Sequence, residues 1–237
     1  SERSLGLVVH SQAARRAVIS HHPEAVVRVI PHLALESPGD ATDASERERF
    51  RRESLRLAST DFLLGVYGHL RETKRIGSVL AALDSLRANG IAAKLLVAGA
   101  FASDDYARTL RPRLEAHPAV ILRGSTAEGE FRALLTAADV CVNLKYPGAG
   151  ESSGIAVRAM SLGVPLVVSE SEGGDGCPPG AHVPIPAGPG EVTALIEMLT
   201  WLARDRNARS AIARAAQQDC LTRRNPERIC ADLWQWI

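Results

Sequence analysis

The sequence has little lysine, few aromatic residues, no paired cysteines and no surplus of either charge. Aromatic residues make up only 4% of the 237 positions. With 28 basic and 27 acidic residues the formal net charge is +1. No whole-chain field therefore draws the protein to nucleic acid or to an anionic membrane, and any anion site must be local. The four cysteines, Cys141, Cys177, Cys220 and Cys230, form no C-x-x-C pair. Neither a zinc knuckle nor a disulfide framework is indicated, and reduced thiols are the better reading. No run approaches the roughly 20 apolar residues that cross a bilayer, and the opening Ser1-Glu2-Arg3-Ser4 lacks the apolar heart of a signal peptide. A cytoplasmic location is the expectation, with peripheral attachment to the inner face of a membrane left open. Lys74, Lys94 and Lys145 are the only lysines, and alanine is abundant, a usage associated with a GC-rich bacterial genome.

Several chemistries lack their residues. There is no G-x-S-x-G elbow, no G-x-x-x-x-G-K-[ST] loop, no H-x-x-x-H and no D-x-D, so serine hydrolysis, P-loop chemistry and a metal centre are not expected. No cofactor is expected either. The scattered His10, His21, His22, His32, His117 and His182 read as ordinary structural or solvated side chains, and Asp104-Asp105 reads as a helix start.

What is present is a core-forming chain, 46% hydrophobic. Short apolar runs alternate with amphipathic stretches between residues 60 and 170, the pattern of βα repeats around a mostly parallel sheet. The fold class expected is α/β. Strands are predicted at Phe62–Tyr67, Lys94–Ala98, Val120–Leu122, Val140–Leu144 and Pro165–Ser169, each nearly continuously apolar, as strands buried on both faces must be. Helices are predicted at Ile76–Arg87, Asp105–Ala116, Glu128–Ala138, Ser153–Leu162 and Glu191–Arg204, with a purely helical tail from Asn207 in which Pro226 starts a new helix. Near the beginning, a strand Leu5–Val9, a helix Gln12–Ile19 and a strand Val27–Ile30 precede a polar loop from Glu36 and a charged helix near Glu46–Leu57. One βα unit cannot bury its own faces. Residues 1–40 are therefore expected to be the remnant of another domain and its linker, 41–222 the main domain, and 223–237 a C-terminal helix.

Two features could carry chemistry. Gly148-Ala149-Gly150-Glu151-Ser152-Ser153-Gly154 follows one predicted strand and opens a helix. Such a turn presents unpaired N–H groups and the positive end of the helix dipole to an anion. A tight turn with Ser152 or Ser153 as N-cap explains the spacing equally well. Glu151 in the same turn accepts from hydroxyls, which suits a ligand carrying both phosphate and polyol. The second feature, Gly68-His69-Leu70-Arg71-Glu72-Thr73-Lys74-Arg75, closes a buried strand, where doubly wound sheets collect ligands. His69, Lys74 and Arg75 could balance a diphosphate there; a solvated loop is the alternative, and Arg71 is left to it.

In this order, the two features resemble the C-terminal donor-binding half of the retaining glycosyltransferases of family four, the glycosyl transferases group 1, which have the GT-B fold. Gly68-His69-Leu70 with Lys74-Arg75 is similar to that family's G-R-L-x-x-x-K-G. Glu151-Ser152-Ser153-Gly154 followed by Arg158-Ala159-Met160-Ser161-Leu162-Gly163-Val164-Pro165 is similar to its E-x-x-G…E-A-M-A-x-G-x-P. Leu95–Gly99 and Ala137-Ala138-Asp139-Val140 sit where the family has two further strands. The likeness runs over residues 60 to 220, and Val8–Ser11 with Val29–His32 resembles the last strand and exit linker of the acceptor domain.

The resemblance implies one half of a GT-B enzyme, a Rossmann-like doubly wound domain taking a nucleoside-diphosphate sugar. Its acceptor would be a sugar, lipid or protein, and its partner the N-terminal domain of the same protein. It implies that Lys74, with Arg75 and His69, holds the diphosphate beside Gly68. Gly150, Ser152, Ser153 and Gly154 would meet phosphate and sugar, Glu151 would bind sugar hydroxyls, and Lys74 and Glu151 would be the catalytic pair. Two departures stand out. The family's second glutamate, which binds ribose, is replaced by Arg158-Ala159, and His69 stands for the usual arginine. Arg158 lies about two helical turns beyond Glu151 and could pair with it or flank the donor. A non-catalytic nucleotide- or carbohydrate-binding domain and a GT-B epimerase are the alternatives.

Overall fold

The computed structural model describes residues 6–36, 43–148, 150, 152–170 and 176–236. Two sheets form. The smaller pairs β1 (Leu7–Val9) with β2 (Val27–Val29) in parallel around α1 (Gln12–His21), Leu7 opposite Val27. The larger has six parallel strands: β3 (Phe62–Tyr67), β4 (Ala93–Ala98), β5 (Val120–Arg123), β6 (Val140–Asn143), β7 (Leu166–Ser169) and β8 (Val183–Ile185). Helices α2 (Ala44–Glu53), α3 (Ile76–Ala88), α4 (Asp104–Ala116), α5 (Glu128–Ala137), α6 (Gly154–Ser161), α7 (Glu191–Arg204), α8 (Arg206–Arg223) and α9 (Pro226–Trp234) complete the order.

The central strand shows why an apolar run becomes a buried parallel strand. All six residues of Phe62-Leu63-Leu64-Gly65-Val66-Tyr67 are buried. Alternation sends Phe62, Leu64 and Val66 into one core, with α3 and α7, and Leu63 and Tyr67 into the other, with α5, α6 and α8. Each core is thus a sheet face covered by helices, and the apolar stripe Ile76, Val79, Leu80, Leu83 and Leu86 of α3 is buried as its spacing predicts. Helix starts follow capping chemistry. Ser103 accepts from Tyr106 N, Asp205 from Ala208 N, and Asn225 caps α9 with Pro226 at its first turn.

The sheet order is β5-β4-β3-β6-β7-β8, the doubly wound arrangement in which the direction of winding reverses between β3 and β6. The α/β, Rossmann-like expectation therefore holds. Two details differ from the sequence reading. The charged helix begins earlier, at Ala44, capped by Asp43, and ends at Glu53, so that Leu55 and Leu57 are free to bury themselves. An eighth strand, Val183–Ile185, was not anticipated. Its proline is tolerated because β8 is an edge strand that, among the described residues, pairs only with β7.

The thiols behave as their burial dictates. Loss of water pushes Cys141 up to about 12 and Cys220 up to about 11, so both stay protonated at neutral pH. Cys230 is exposed and Cys177 half-buried. A native chain is expected to give one fast thiol with a disulfide reagent, Cys230. Fast modification of Cys141 before unfolding would contradict this packing.

Candidate functional site

The switch point is built from the ends of β3 and β6. After β3 the chain turns at Gly68, where φ is +86°, and Gly99 after β4 has φ +147°. The two ends approach so closely that a Cβ on Gly99 would stand 1.9 Å from the Gly68 carbonyl oxygen. Only glycine satisfies both the backbone angle and the contact. Beside them opens a cavity of about 160 Å³ lined by Gly68, His69, Gly99, Ser125, Thr126 and Phe131. The sequence reading missed Ser125, Thr126 and Phe131, which look like ordinary loop and helix residues until β5 places them here.

Lys74 ends a short 3₁₀ turn, Glu72–Lys74, that follows β3. Its Nζ donates to Asn143 Oδ1 at 3.2 Å, and Asn143 Nδ2 donates to Ser153 Oγ at 3.0 Å. Ser153 caps α6 and also accepts from Ala156 N at 3.3 Å. One polar chain therefore crosses from the β3 loop to the α6 start. Asn143, 3% exposed, was missed, because one amide closing the apolar run Val140-Cys141-Val142 carries no spacing signature.

The glycine-rich turn is held from outside the main sheet. Gly150 has φ +78°, and a Cβ there would meet Ala14 N at 3.0 Å and Ala13 Cβ at 3.1 Å. Ser11, which caps α1 by accepting from Ala14 N at 2.9 Å, donates to the Gly150 carbonyl oxygen. The β1–α1–β2 unit thus braces this turn. Ser152 Oγ is buried without a hydrogen-bond partner beside it. Glu151 lies outside the described residues.

Arg75 and Arg158 are placed differently from Lys74. Arg75 Nε donates to Glu191 Oε1 at 3.0 Å, and Ser78 Oγ donates to the same oxygen at 2.6 Å; Glu191 is 1% exposed. Arg158 pairs with Glu36 and Glu128 and lies 4.4 Å over the Phe131 ring. Contact of the Arg158 guanidinium with a donor would require its pairs to open, because Nε, Nη1 and Nη2 are all engaged, whereas Arg75 makes its pair through Nε. His69 is exposed at the rim of the small cavity.

Two larger cavities, of about 460 and 520 Å³, lie elsewhere. The first is at the amino ends of the strands, where Arg47 and Arg51 are spent on Asp139 and on the last carbonyls of α5. The second lies between α2 and α5. Neither contains the converging chain from Lys74 to Ser153, so the carboxyl-end crevice is the candidate site. Among the described residues, no group of three His, Cys, Asp or Glu could hold a metal, and no helix is long and apolar enough to cross a membrane.

A six-stranded doubly wound parallel sheet with a capped glycine-rich helix start at its switch point defines the Rossmann-like class of domain. The chain belongs to the glycosyl transferases group 1, whose family model matches residues 47–219. No curated protein sequence matches it. Among solved structures it is similar to HepE of Anabaena in complex with UDP and glucose, with a TM-score of 0.82 at 20% identity over 97% of this chain and 62% of that one. It is also similar to the lipopolysaccharide-biosynthesis glycosyltransferase WaaG, with a TM-score of 0.73 at 21% identity over 95% of this chain and 61% of that one. A third is sucrose-phosphate synthase from Thermosynechococcus elongatus, with a TM-score of 0.78 at 18% identity over 97% and 56%. The chain thus spans less than two thirds of the length of these GT-B glycosyltransferases.

Proposed function

We propose that this chain is the donor-binding half of a retaining glycosyltransferase that moves a sugar from a nucleoside-diphosphate sugar to a separate acceptor. The observation that carries the reading is the Lys74–Asn143–Ser153 chain across the switch point, which couples a cation to a helix N-terminus. An ammonium and free helix N–H groups at one place stabilise a diphosphate as it departs with growing negative charge. No divalent metal takes part in this reading. The small cavity beside Gly68 and Gly99 suits the planar base, with Phe131 as its apolar wall. HepE was crystallised with UDP-glucose, which supports a nucleotide-sugar as ligand class. In this reading Glu151 accepts from sugar hydroxyls, Gly154 lets the sugar approach, and the remaining acceptor domain lies upstream in the same protein. Residues 1–40 would then be its last βα unit, and the protein would work in a bacterial cytoplasm.

A second reading, nucleotide binding without transfer, is favoured by one observation: Arg158, which stands for the family's ribose-binding glutamate, is occupied by Glu36 and Glu128. Calorimetry tests the donor site that both readings share. The 237-residue chain should bind a nucleoside diphosphate equally well with and without chelator, and should not sustain transfer to an acceptor by itself. Lys74→Ala should weaken nucleotide and nucleotide-sugar alike, by about 1.5–3 kcal/mol, the range for a charge-assisted hydrogen bond. Glu151→Gln should weaken the nucleotide-sugar and spare the nucleotide. A strict metal requirement, or Lys74→Ala binding as tightly as wild type, would defeat the donor-site assignment.

A further inference from the structure

The residues just after β2 come back to the candidate site. His32 Nδ1 lies 3.0 Å from the Leu33 carbonyl oxygen. A carbonyl can only accept, so Nδ1 carries the hydrogen and the far nitrogen, Nε2, faces outward from that contact. It stands 3.9 Å from where a Cβ on Gly154 would be, beside the first residue of α6. The backbone that carries this ring is fixed on both sides by one buried side chain and its own main chain. Arg224 Nη1 donates to the His32 carbonyl oxygen at 3.3 Å, and Ala34 N donates to the Arg224 carbonyl oxygen at 2.9 Å. Arg224 is 1% exposed and is held in turn by Asp219 at 2.8 Å. A solvated linker histidine has no need of such a mount.

We propose that His32 is a donor-binding residue: as imidazolium it gives its Nε2–H to the diphosphate seated at the α6 start, so that donor binding takes up a proton from solvent. The proposal rests on the donor-site reading above and adds a residue from outside the family-matched segment. The described charged and titratable groups around the ring are few. His10, from the end of β1, has its ring centroid 5.3 Å away and its own Nδ1 on the Ile30 carbonyl oxygen at 2.8 Å. Arg224 and Asp219 lie behind the backbone, and Lys74 reaches the same helix start through Asn143 and Ser153. Arg158 of the same helix is paired with Glu36 and Glu128, as Arg224 is with Asp219, so the protonated ring gains an anionic partner of its own when the diphosphate arrives. Imidazole changes charge within the neutral range, which makes the event readable as pH dependence.

The test uses nucleotide-sugars, whose diphosphate is esterified at both ends and has no group titrating near neutrality. UDP-glucose, GDP-mannose and ADP-glucose are titrated into the 237-residue chain by calorimetry from about pH 6 to about pH 8, in buffers of small and large ionisation enthalpy. The best binder is expected to lose about tenfold in affinity across that range, with fractional proton uptake near the middle. His32→Asn, which puts an amide in the same place and whose fold is checked by its melting curve, should bind with no pH slope and no uptake, while His10→Asn should keep both. Binding whose pH slope survives in His32→Asn overturns this inference and leaves the donor site standing. Failure of all three ligands to bind the wild-type chain overturns the donor-site reading, and this inference with it.

Discussion

Replacing Arg224 with methionine is expected to destabilise the chain by about 3–5 kcal/mol, the usual result of breaking a buried ion pair from one side. The guanidinium is 1% exposed and Asp219 is 2% exposed on its side chain. Removing Arg224 leaves that carboxylate in the interior and orphans the carbonyls of His32 and Gly176, which it also serves at 3.3 and 3.0 Å. One partner remains: Arg223 Nη1 lies 3.2 Å from Asp219, but its side chain is 49% exposed and it can return only part of the lost interaction. The lower end of the range is therefore expected. Removing both charges, as Arg224→Met with Asp219→Leu, should cost less than the single change, because no unpaired carboxylate is then buried. Urea unfolding of the three proteins checks this. A single change costing under about 1 kcal/mol would mean that water or Arg223 already solvates Asp219. The same change should loosen the mount of His32, tying the stability of the helical tail to the candidate site.

Much of this arrangement was legible in the sequence, and the physical reasons are separable. A parallel sheet buried on both faces needs nearly continuous apolar runs, and Phe62–Tyr67 and Val140–Val142 are such runs, so strands and their order in the chain could be read directly. Lys74 and Ser153 could be named as candidates because each lies beyond the carboxyl end of a predicted strand beside a glycine turn, although a solvated loop and a capped tight turn read from the same residues. Asn143 could not, since a single amide closing an apolar strand carries no spacing signature. The partners of Arg75 and Arg158 were equally hidden: Glu191 and Glu36 lie 116 and 122 residues away in the chain. No local pattern reveals a pairing made by folding. Strand β8 was hidden for the opposite reason, because Val183-Pro184-Ile185 breaks the apolar run with the residue that usually argues against a strand. His32 was read as an ordinary linker histidine because nothing near it in sequence foretells Arg224 or Gly154.

Asp139 separates the stability of this domain from its chemistry. It opens β6 at the amino ends of the strands, opposite the candidate site, and three donors converge on it: Arg47 Nη2 at 3.0 Å, Arg51 Nη1 at 3.1 Å and the backbone N–H of Leu63 at 2.8 Å. The two arginines also reach the last carbonyls of α5, with Arg47 Nε on Thr136 O at 2.7 Å and Arg51 Nη1 on Ala137 O at 2.5 Å. They therefore satisfy a helix C-terminus whose acceptors have no partner within the helix, and Asp139 neutralises the cations that do so. Asp139→Ala should leave Arg51, 4% exposed on its side chain, with no carboxylate, and the Leu63 N–H, inside the central strand, with no acceptor. A loss of about 3–5 kcal/mol follows from a buried charge stripped of its partner. Asp139→Asn keeps an acceptor for Leu63 and should lose less, about 1–3 kcal/mol. Below its melting temperature either variant should bind a nucleotide as tightly as wild type, because β3 and β6 still present Lys74 and Asn143 at their far ends. Lys74→Ala should show the reverse, weaker binding with an unchanged melting curve. If Asp139→Ala instead weakened the nucleotide while leaving the melting curve in place, the cavity beside Arg47 and Arg51 would be the binding site, and the crevice at the carboxyl ends would not.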